Sequence, residues 1–195
     1  ELELSYTRTP LLSLVRKRAG WLVILFLSEM LTASAMGYFD DEIARAVVLA
    51  LFVPLIISSG GNSGSQAASL IIRALALGEL GIRQWWYILR KELLSGVLLG
   101  AILGCIGLVR IIVWQQFGLY DYGEYWGWIG ASVAVSLLFI VLWGTVSGSM
   151  IPLLLKRIGL DPATASAPFV ATLVDVTGLI IYFTVSAILL SGKLL

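Results

Sequence analysis

Residues 54–66 read PLIISSGGNSGSQ, and they lie within a run that has no charged residue from Ala46 until Arg73. A helix needs about 20 predominantly apolar residues to span a bilayer, so this run is long enough to cross one. It is unusual because hydroxyl and amide side chains recur through its middle, together with three glycines. The stretch therefore predicts a membrane-spanning helix with a polar face.

The composition of the whole chain also indicates a membrane protein. Of its 195 residues, 59% are hydrophobic and 13% are charged, whereas soluble domains contain about 25% charged residues. A net charge of +1 gives no basic field that would hold nucleic acid. One cysteine and no histidine argue against a disulfide framework and against a zinc site. Residues 61–64 resemble part of a serine-hydrolase elbow, but no histidine exists to act as base, so we do not expect an enzyme.

Five segments are long and apolar enough to cross the bilayer. They run from about Trp21 to Phe39, Ala46 to Arg73, Glu92 to Trp114, Trp126 to Leu155 and Ala163 to Ser191. The connections between them are too short to hold a soluble domain. The predicted fold is therefore an all-α polytopic membrane protein, with residues 1–18 as an inner-face juxtamembrane segment and residues 19–195 as a domain of five transmembrane helices.

Basic residues are distributed unequally between the two sides of the predicted membrane domain, and cytoplasmic loops normally carry the excess. Ten of the 13 lie on one side: Arg8, Arg16, Lys17, Arg18, Arg73, Arg83, Arg90, Lys91, Lys156 and Arg157. The other three are Arg45, Arg110 and Lys193. This distribution predicts a multi-pass protein of the cell (inner) membrane, with a cytoplasmic N-terminus and an external C-terminus.

Two stretches are expected to lie along the inner membrane face in contact with lipid, as short interfacial helices. They are residues 5–18 and the aromatic run at residues 84–87. The chain begins at Glu1 rather than at a methionine, so we expect it to be part of a longer protein with regulatory domains upstream.

Two acidic residues, Glu29 and Asp175, fall well inside predicted spans. A charge at the membrane centre costs about 2.5–3.5 kcal/mol on insertion scales, and every basic residue of this chain lies outside the spans or near the end of one, so no cation lies deep in the membrane. The compensation must come from a proton, a bound cation or access to water. For Glu29, one interpretation is a protonated carboxyl hydrogen-bonded within the bundle, and the other is a residue that couples transport.

Asp175 has surroundings that suit a cation site. On a helix, it shares a face with Pro168, Ala171, Gly178 and Tyr182. Small residues leave room around the carboxylate, and Pro168 would free a carbonyl one turn earlier. A carboxylate beside free carbonyl oxygens is a site for a hard cation. The alternative is a protonated carboxyl bonded to the hydroxyl of Thr172 or Thr177.

The polar residues of the second span also share a helical face. This face contains Ser58, Asn62, Ser65 and Ser69, with Gln66 beside it. Such hydroxyls and amides can bond to the water shell of an ion, so we predict that they line a pore. The alternative is that they form interhelical hydrogen bonds only. A neighbouring face of Gly60, Gly64 and Ala68 suits close helix packing.

Residues 54–66 resemble the second-span signature of the MgtE magnesium channels and transporters, and residues 161–175 are similar to that family's fifth-span signature. The resemblance implies a homodimer whose ion path follows the two-fold axis, lined by the second and fifth helices of both subunits. It implies that Asp175 selects Mg²⁺ and that the Ala171 carbonyl helps to hold the ion's water shell. It also implies cytosolic regulatory domains, an N domain and CBS motifs, none of which lies in these 195 residues.

Several questions stay open at this level. Mn²⁺, Co²⁺ and Ca²⁺ suit the same oxygen ligands as Mg²⁺, and residue spacing does not rank them. Asp161 precedes Pro162 and is either a helix cap or part of a second cation site at the cytosolic mouth. The leading function is a Mg²⁺ channel. The alternatives are a proton- or sodium-coupled transporter that uses Glu29, and a membrane anchor without transport.

Overall fold

The computed structural model describes residues 6–164 and 167–195. Within these ranges the chain forms six α-helices, short 3₁₀ segments and no strand. The helices are α1 (Leu11–Tyr38), α2 (Asp40–Arg45), α3 (Val53–Ala76), α4 (Trp85–Gln116), α5 (Trp126–Arg157) and α6 (Ala167–Leu190). The 3₁₀ segments are Tyr6–Arg8, Val47–Phe52, Ile82–Gln84 and Pro162–Thr164.

Five helical stretches of the described chain are long and apolar enough to span a membrane, which confirms the predicted all-α, five-span fold. They are α1, α4 with the 3₁₀ turn before it, α5, α6, and α3 together with the 3₁₀ segment that precedes it. The 3₁₀ segment ends at Phe52, directly before α3, and Pro54 is the second residue of α3. Proline is tolerated there because the first amides of a helix have no intrahelical acceptor.

The predicted interfacial helices are not separate elements. Residues 11–18 are the first two turns of α1, and residues 85–87 are the first turn of α4. Gly20 lies inside α1 without ending it, because a single glycine weakens a helix by only about 1 kcal/mol. Both transmembrane helices therefore extend beyond the apolar segments read from the sequence.

Helix α5 is the centre of the bundle and packs against α3, α4 and α6. Glycines of α4 allow its backbone to approach α5 closely. A Cβ added at Gly100 would lie 2.8 Å from the carbonyl oxygen of Leu138, and one added at Gly104 would lie 2.8 Å from that of Ala134. Close backbone approach of this kind is how transmembrane helices associate in the absence of a hydrophobic driving force.

Helices α3 and α5 make an equally close contact through glycines on both sides. A Cβ added at Gly144 would lie 2.6 Å from the carbonyl oxygen of Gly60, and one added at Gly148 would clash with the carbonyl oxygen of Gly64. The hydroxyl of Ser63 donates a hydrogen bond across the interface to the Val141 carbonyl, at 3.2 Å. The predicted packing face of Gly60, Gly64 and Ala68 is buried.

Helix α1 lies at the periphery, and its main contacts are with α6. Within α1, all of which the structure describes, Leu25 is the one buried residue. At the C-terminal end of α1, Phe39 stacks on Phe183 of α6, with ring centroids 5.1 Å apart. Most of the surface of α1 is therefore left for lipid or another protein chain.

The turn between α4 and α5 is fixed by Asp121. Its carboxylate accepts hydrogen bonds from the Gln115 side chain, at 3.1 Å, and from the Gly123 amide, at 2.8 Å. These bonds lower the pKa of Asp121 below its ordinary value, the Gly123 bond contributing most. The contribution of these two hydrogen bonds to the stability of the fold is thus complete above the ordinary aspartate pKa of about 3.9. It is lost as the pH falls through the lowered pKa of Asp121.

Gly148→Ala is expected to destabilise the bundle, because the added methyl group meets the backbone of α3 and not a side chain that can turn away. Overpacking of this kind costs about 1–3 kcal/mol. Thermal unfolding of the purified protein in detergent measures the loss. Gly127→Ala is the matched control, since Gly127 is in the same helix and has nothing within 4 Å. Equal unfolding temperatures for the two variants would contradict the packing described here.

Candidate functional site

Asp175 lies on α6 at the point where the backbone of α3 passes closest to its carboxylate. A Cβ added at Gly61 of α3 would lie 3.2 Å from the Asp175 Oδ1 atom and 3.6 Å from the Ala171 Cβ. Asp175 and Ala171 are both partly exposed. The missing side chain at Gly61 therefore makes room for the carboxylate between the two helices.

Glu29 of α1 lies near the same carboxylate, close enough for the two acidic groups to interact. The hydroxyl of Thr32 donates to Glu29 Oε1 at 3.2 Å. Two ionised carboxylates close together repel each other, and a proton or a cation between them would relieve that repulsion. The two acidic residues that the sequence places at membrane depth thus form one group.

The polar face of α3 is the face that the rest of the protomer leaves uncovered. Ser58, Asn62, Gln66 and Ser69 are exposed, and the Asn62 amide donates to the Ser58 hydroxyl at 3.3 Å. Ser65 differs, because its hydroxyl donates to the Ala167 carbonyl at the start of α6, at 3.2 Å. Ser65 is therefore partly committed to joining α3 to α6.

The helical face that the sequence predicts around Asp175 is divided in the structure. Gly178 is buried, and a Cβ added there would lie 3.5 Å from Ile140 of α5. Tyr182 is also fully buried, and its hydroxyl donates to the Leu49 carbonyl at 2.8 Å. Towards the C-terminal end of α6 this face thus contacts the core, whereas Ala171 and Asp175 stay partly open.

The hydroxyl groups of the two threonines beside Asp175 donate hydrogen bonds to backbone carbonyls. The Thr172 hydroxyl donates to the Pro168 carbonyl at 3.0 Å, and the Thr177 hydroxyl donates to the Leu173 carbonyl at 2.7 Å. Neither hydroxyl therefore donates its hydrogen bond to the Asp175 carboxyl, and the alternative of a protonated Asp175 that donates to a threonine stays a prediction. Thr172 also lines a cavity of about 180 Å³ between α1 and α6.

Pro168 and Asp161 lie at or near the N-terminal end of α6. Pro168 is the second described residue of that helix, and residues 165 and 166 lie outside the described ranges, so the free carbonyl one turn before Pro168 stays a prediction. Asp161 Oδ1 accepts a hydrogen bond from the Ala163 amide at 3.0 Å. Asp161 therefore caps the 3₁₀ segment Pro162–Thr164, and its role in a second cation site stays a prediction.

No group of three or more His, Cys, Asp or Glu side chains that could hold a metal ion occurs within residues 6–164 and 167–195. Glu29 and Asp175 are the two acidic residues that fall well inside predicted spans. One protomer offers too few charged ligands to replace the six-oxygen shell of a small divalent cation. The arrangement suits an ion that keeps most of its water.

Comparison with known proteins gives the family of the chain. The family model of MgtE, described as a divalent cation transporter, matches residues 53–185, which include all of α3 and α6 as far as residue 185. The chain belongs to the MgtE family. Its MgtE domain is thus a multi-pass membrane domain of a divalent cation transporter family.

Three curated relatives are each named magnesium transporter MgtE. The protein from Thermus thermophilus is 41% identical over 190 residues, which is 97% of this chain and 40% of the relative. Those from Bacillus subtilis and Enterococcus faecalis are 31% and 32% identical, over 87% and 88% of this chain and 36% of each relative. The chain thus spans about two fifths of the length of these MgtE proteins.

Sequence reasoning missed two features of the site. Gly61 was not singled out, although the adjacent glycines Gly60 and Gly61 face two different neighbours, α5 and Asp175. The contact between Glu29 and Asp175 was also missed. The available signal was that these two residues are the acidic groups deepest in the predicted spans, and neither has a basic partner there.

Tyr182→Phe is expected to lower stability by about 1 kcal/mol, because it removes a buried hydrogen bond to the Leu49 carbonyl. Divalent cation transport should be unchanged, since Tyr182 contacts the core and not the open side of α6. Thermal unfolding in detergent and cation uptake into proteoliposomes measure the two effects. A loss of uptake without a loss of stability would place Tyr182 on the ion path instead.

Proposed function

We propose that this MgtE domain conducts Mg²⁺ across the cell membrane, through a pore on the two-fold axis of a homodimer, with Asp175 as the ion-selecting residue. The observation that carries the proposal is the position of Asp175 against the backbone of α3 at Gly61. At that point the carboxylate adjoins the helix whose exposed face contains Ser58, Asn62, Gln66 and Ser69.

The chemistry of these groups suits hydrated Mg²⁺. Magnesium requires octahedral oxygen coordination and gives up its water reluctantly. Uncharged hydroxyl and amide groups bond to the water shell without removing it, and a carboxylate supplies the opposite charge. The carbonyl of Ala171, one turn before Asp175, is proposed to accept a hydrogen bond from this shell, with Thr172 and Pro168 nearby on α6. Mn²⁺, Co²⁺ and Ca²⁺ are further candidate ions.

A second copy of the chain is the natural cover for the polar face of α3. Hydroxyl and amide groups that face lipid lose their hydrogen bonds to water, which is costly. A two-fold axis beside α3 and α6 would bring two polar faces and two Asp175 carboxylates together, with membrane lipid around the remaining surface. The pore would then be lined by both protomers.

The arrangement of the complete protein is also part of the proposal. The relatives are longer than this chain, which covers 36–40% of them. We expect cytosolic regulatory domains, an N domain and CBS motifs, to close the pore when internal Mg²⁺ is high. With ten of 13 basic residues on one side, the N-terminus is placed in the cytoplasm and the C-terminus outside.

The contact between Glu29 and Asp175 favours a second candidate, a proton-coupled secondary transporter of divalent cations. A proton shared by the two carboxyl groups would be displaced when a cation enters. Mg²⁺ influx into proteoliposomes, measured with and without an imposed pH gradient, separates the two functions. A rate that follows the gradient supports coupling, and a rate independent of it supports the channel.

Asp175→Asn is expected to reduce Mg²⁺ influx into proteoliposomes about tenfold or more, since it keeps the size of the side chain and removes the charge. A tenfold loss corresponds to about 1.4 kcal/mol of interaction with the ion. A trapped Mg²⁺-sensitive dye reports the influx. Asp41→Asn is the matched control, because Asp41 is exposed on α2 and should leave influx unchanged. Equal influx in parent and Asp175→Asn would place the ion site elsewhere.

Asn62→Cys is expected to form an intermolecular disulfide in native membranes, because Asn62 is exposed on the face proposed to line the axis. The native Cys105 is exposed and is first replaced by alanine. Ile102→Cys is the control, since Ile102 is 56% exposed on α4, which the proposal places in lipid. Gel mobility with and without reductant measures the product. Efficient cross-linking through residue 102 and none through residue 62 would contradict the proposed axis.

A further inference from the structure

We propose that a cavity beside the C-terminal end of α4 binds the phosphate group of an anionic membrane phospholipid, and that Arg110 supplies the opposite charge. The cavity contains no residue of α6, so it is separate from the candidate ion site. The inference does not depend on the proposed conduction of Mg²⁺. It rests on a guanidinium group that lines a cavity near the membrane surface and has no carboxylate partner among the described residues.

The cavity has a volume of about 220 Å³ and lies where the connection between α4 and α5 meets the 3₁₀ segment before α3. Aromatic rings that pack on one another form much of its wall. The Tyr122 ring lies 4.7 Å from that of Tyr120 and 5.8 Å from that of Phe52, between centroids. Leu51, Arg110 and Trp114 also line the cavity.

Arg110 is the charged residue among those that line the cavity. Its guanidinium group lies over the Trp114 ring, 5.0 Å from the centroid. In the part of the chain that the structure describes, no carboxylate forms an ion pair with it, and the Asp121 carboxylate of the adjacent turn accepts hydrogen bonds from Gln115 and Gly123 instead. A cation in an apolar helix needs a compensating charge, which here must come from outside the protomer.

The position of Arg110 along α4 places it near the level of lipid phosphates. A helix of 32 residues is about 48 Å long, whereas the hydrocarbon core is about 30 Å thick. When α4 is centred on the core, about 9 Å extends beyond it at each end. Arg110 precedes the last residue, Gln116, by about 9 Å, so it lies where the hydrocarbon meets the headgroups.

The chemistry of the cavity favours a phosphate group with a net negative charge. A planar guanidinium group donates two parallel hydrogen bonds to phosphate oxygens. Tyrosine and tryptophan are the residues that most often lie at headgroup level. No aspartate or glutamate lines the cavity, so a phosphate meets no repulsion there, and no carboxylate is present for the ammonium group of a zwitterionic lipid.

The surface below the cavity favours a lipid over free phosphate. Ile106 and Leu103 precede Arg110 by four and seven residues and therefore share its helical face. They are 60% and 37% exposed, and Leu51 at the other wall is 51% exposed. Acyl chains attached to the bound phosphate would cover these apolar side chains, whereas inorganic phosphate would leave them uncovered.

The test is native mass spectrometry of the protein in detergent, titrated with phosphatidylglycerol or with phosphatidylcholine. We expect the parent to bind its first phosphatidylglycerol about fivefold more tightly, since one basic residue near a membrane surface contributes about that much. Arg110→Gln should reduce this preference to within about twofold. Lys193→Gln is the matched control, because Lys193 also lies over a tryptophan ring, that of Trp128 at 4.1 Å, but does not line the cavity. It should keep the preference.

A purely structural role of Arg110 predicts a different pattern, in which Arg110→Gln lowers the unfolding temperature but keeps the preference for phosphatidylglycerol. Arg110→Met guards against failure of the glutamine variant to fold. Methionine keeps an unbranched apolar stem beside the Trp114 ring and removes the charge, so this variant should lose the preference as well.

Inorganic phosphate in large excess separates the two sources of a phosphate group. We expect phosphatidylglycerol to stay bound to the parent in its presence. Displacement of the lipid would overturn the assignment to a phospholipid. The inference also fails when the parent shows no preference between the two lipids, or when the folded Arg110 variants keep the preference of the parent.

Discussion

The backbone contact between α3 and α5 is the interaction on which the rest of the structure depends. Glycines at 60, 64, 144 and 148 let the two helices approach until an added methyl group would meet a carbonyl oxygen. Because no side chain separates them, the rotation of α3 about its own axis is fixed. The polar residues of α3 are consequently directed away from α5, on the face that one protomer leaves exposed. Larger residues at these positions would hold the two helices apart, and the rotation of α3 about its own axis would then be less restricted.

The position of the acidic group follows from this packing. Once α3 is fixed on α5, α6 packs against both helices and brings Asp175 to the glycine at position 61. The low dielectric of the membrane makes an uncompensated carboxylate costly, which is why its neighbours matter more than they would at a protein surface. Here the neighbours are a second carboxyl group, a bare helix backbone and an open polar face, and all three are compatible with a hydrated cation.

Much of this architecture is predictable from the sequence. Five apolar segments, the packing face of Gly60, Gly64 and Ala68, and the polar face beside it follow from length and helical periodicity alone. Periodicity does not reveal where a helix crosses its neighbour, so the grouping of Gly178 with Asp175 did not anticipate that α5 covers Gly178. Periodicity also does not predict contacts between helices that are far apart in the sequence, such as the contact of Glu29 with Asp175. Hydropathy also predicts helices that are too short when amphipathic turns extend a span. Residues 11–18, for example, belong to α1 although they precede the apolar segment.

The exposed position of α1 has a mechanical consequence. This helix has 28 residues, so at 1.5 Å per residue it is about 42 Å long, whereas the hydrocarbon core of a bilayer is about 30 Å thick. A helix longer than the core adjusts to bilayer thickness by tilting, and α1 is held mainly along one neighbour. Tilting of α1 would move Glu29 relative to Asp175 while the glycine-packed helices stay in place. Bilayer thickness would therefore act on the proposed ion site through α1, which lies beside that site and is largely open to lipid.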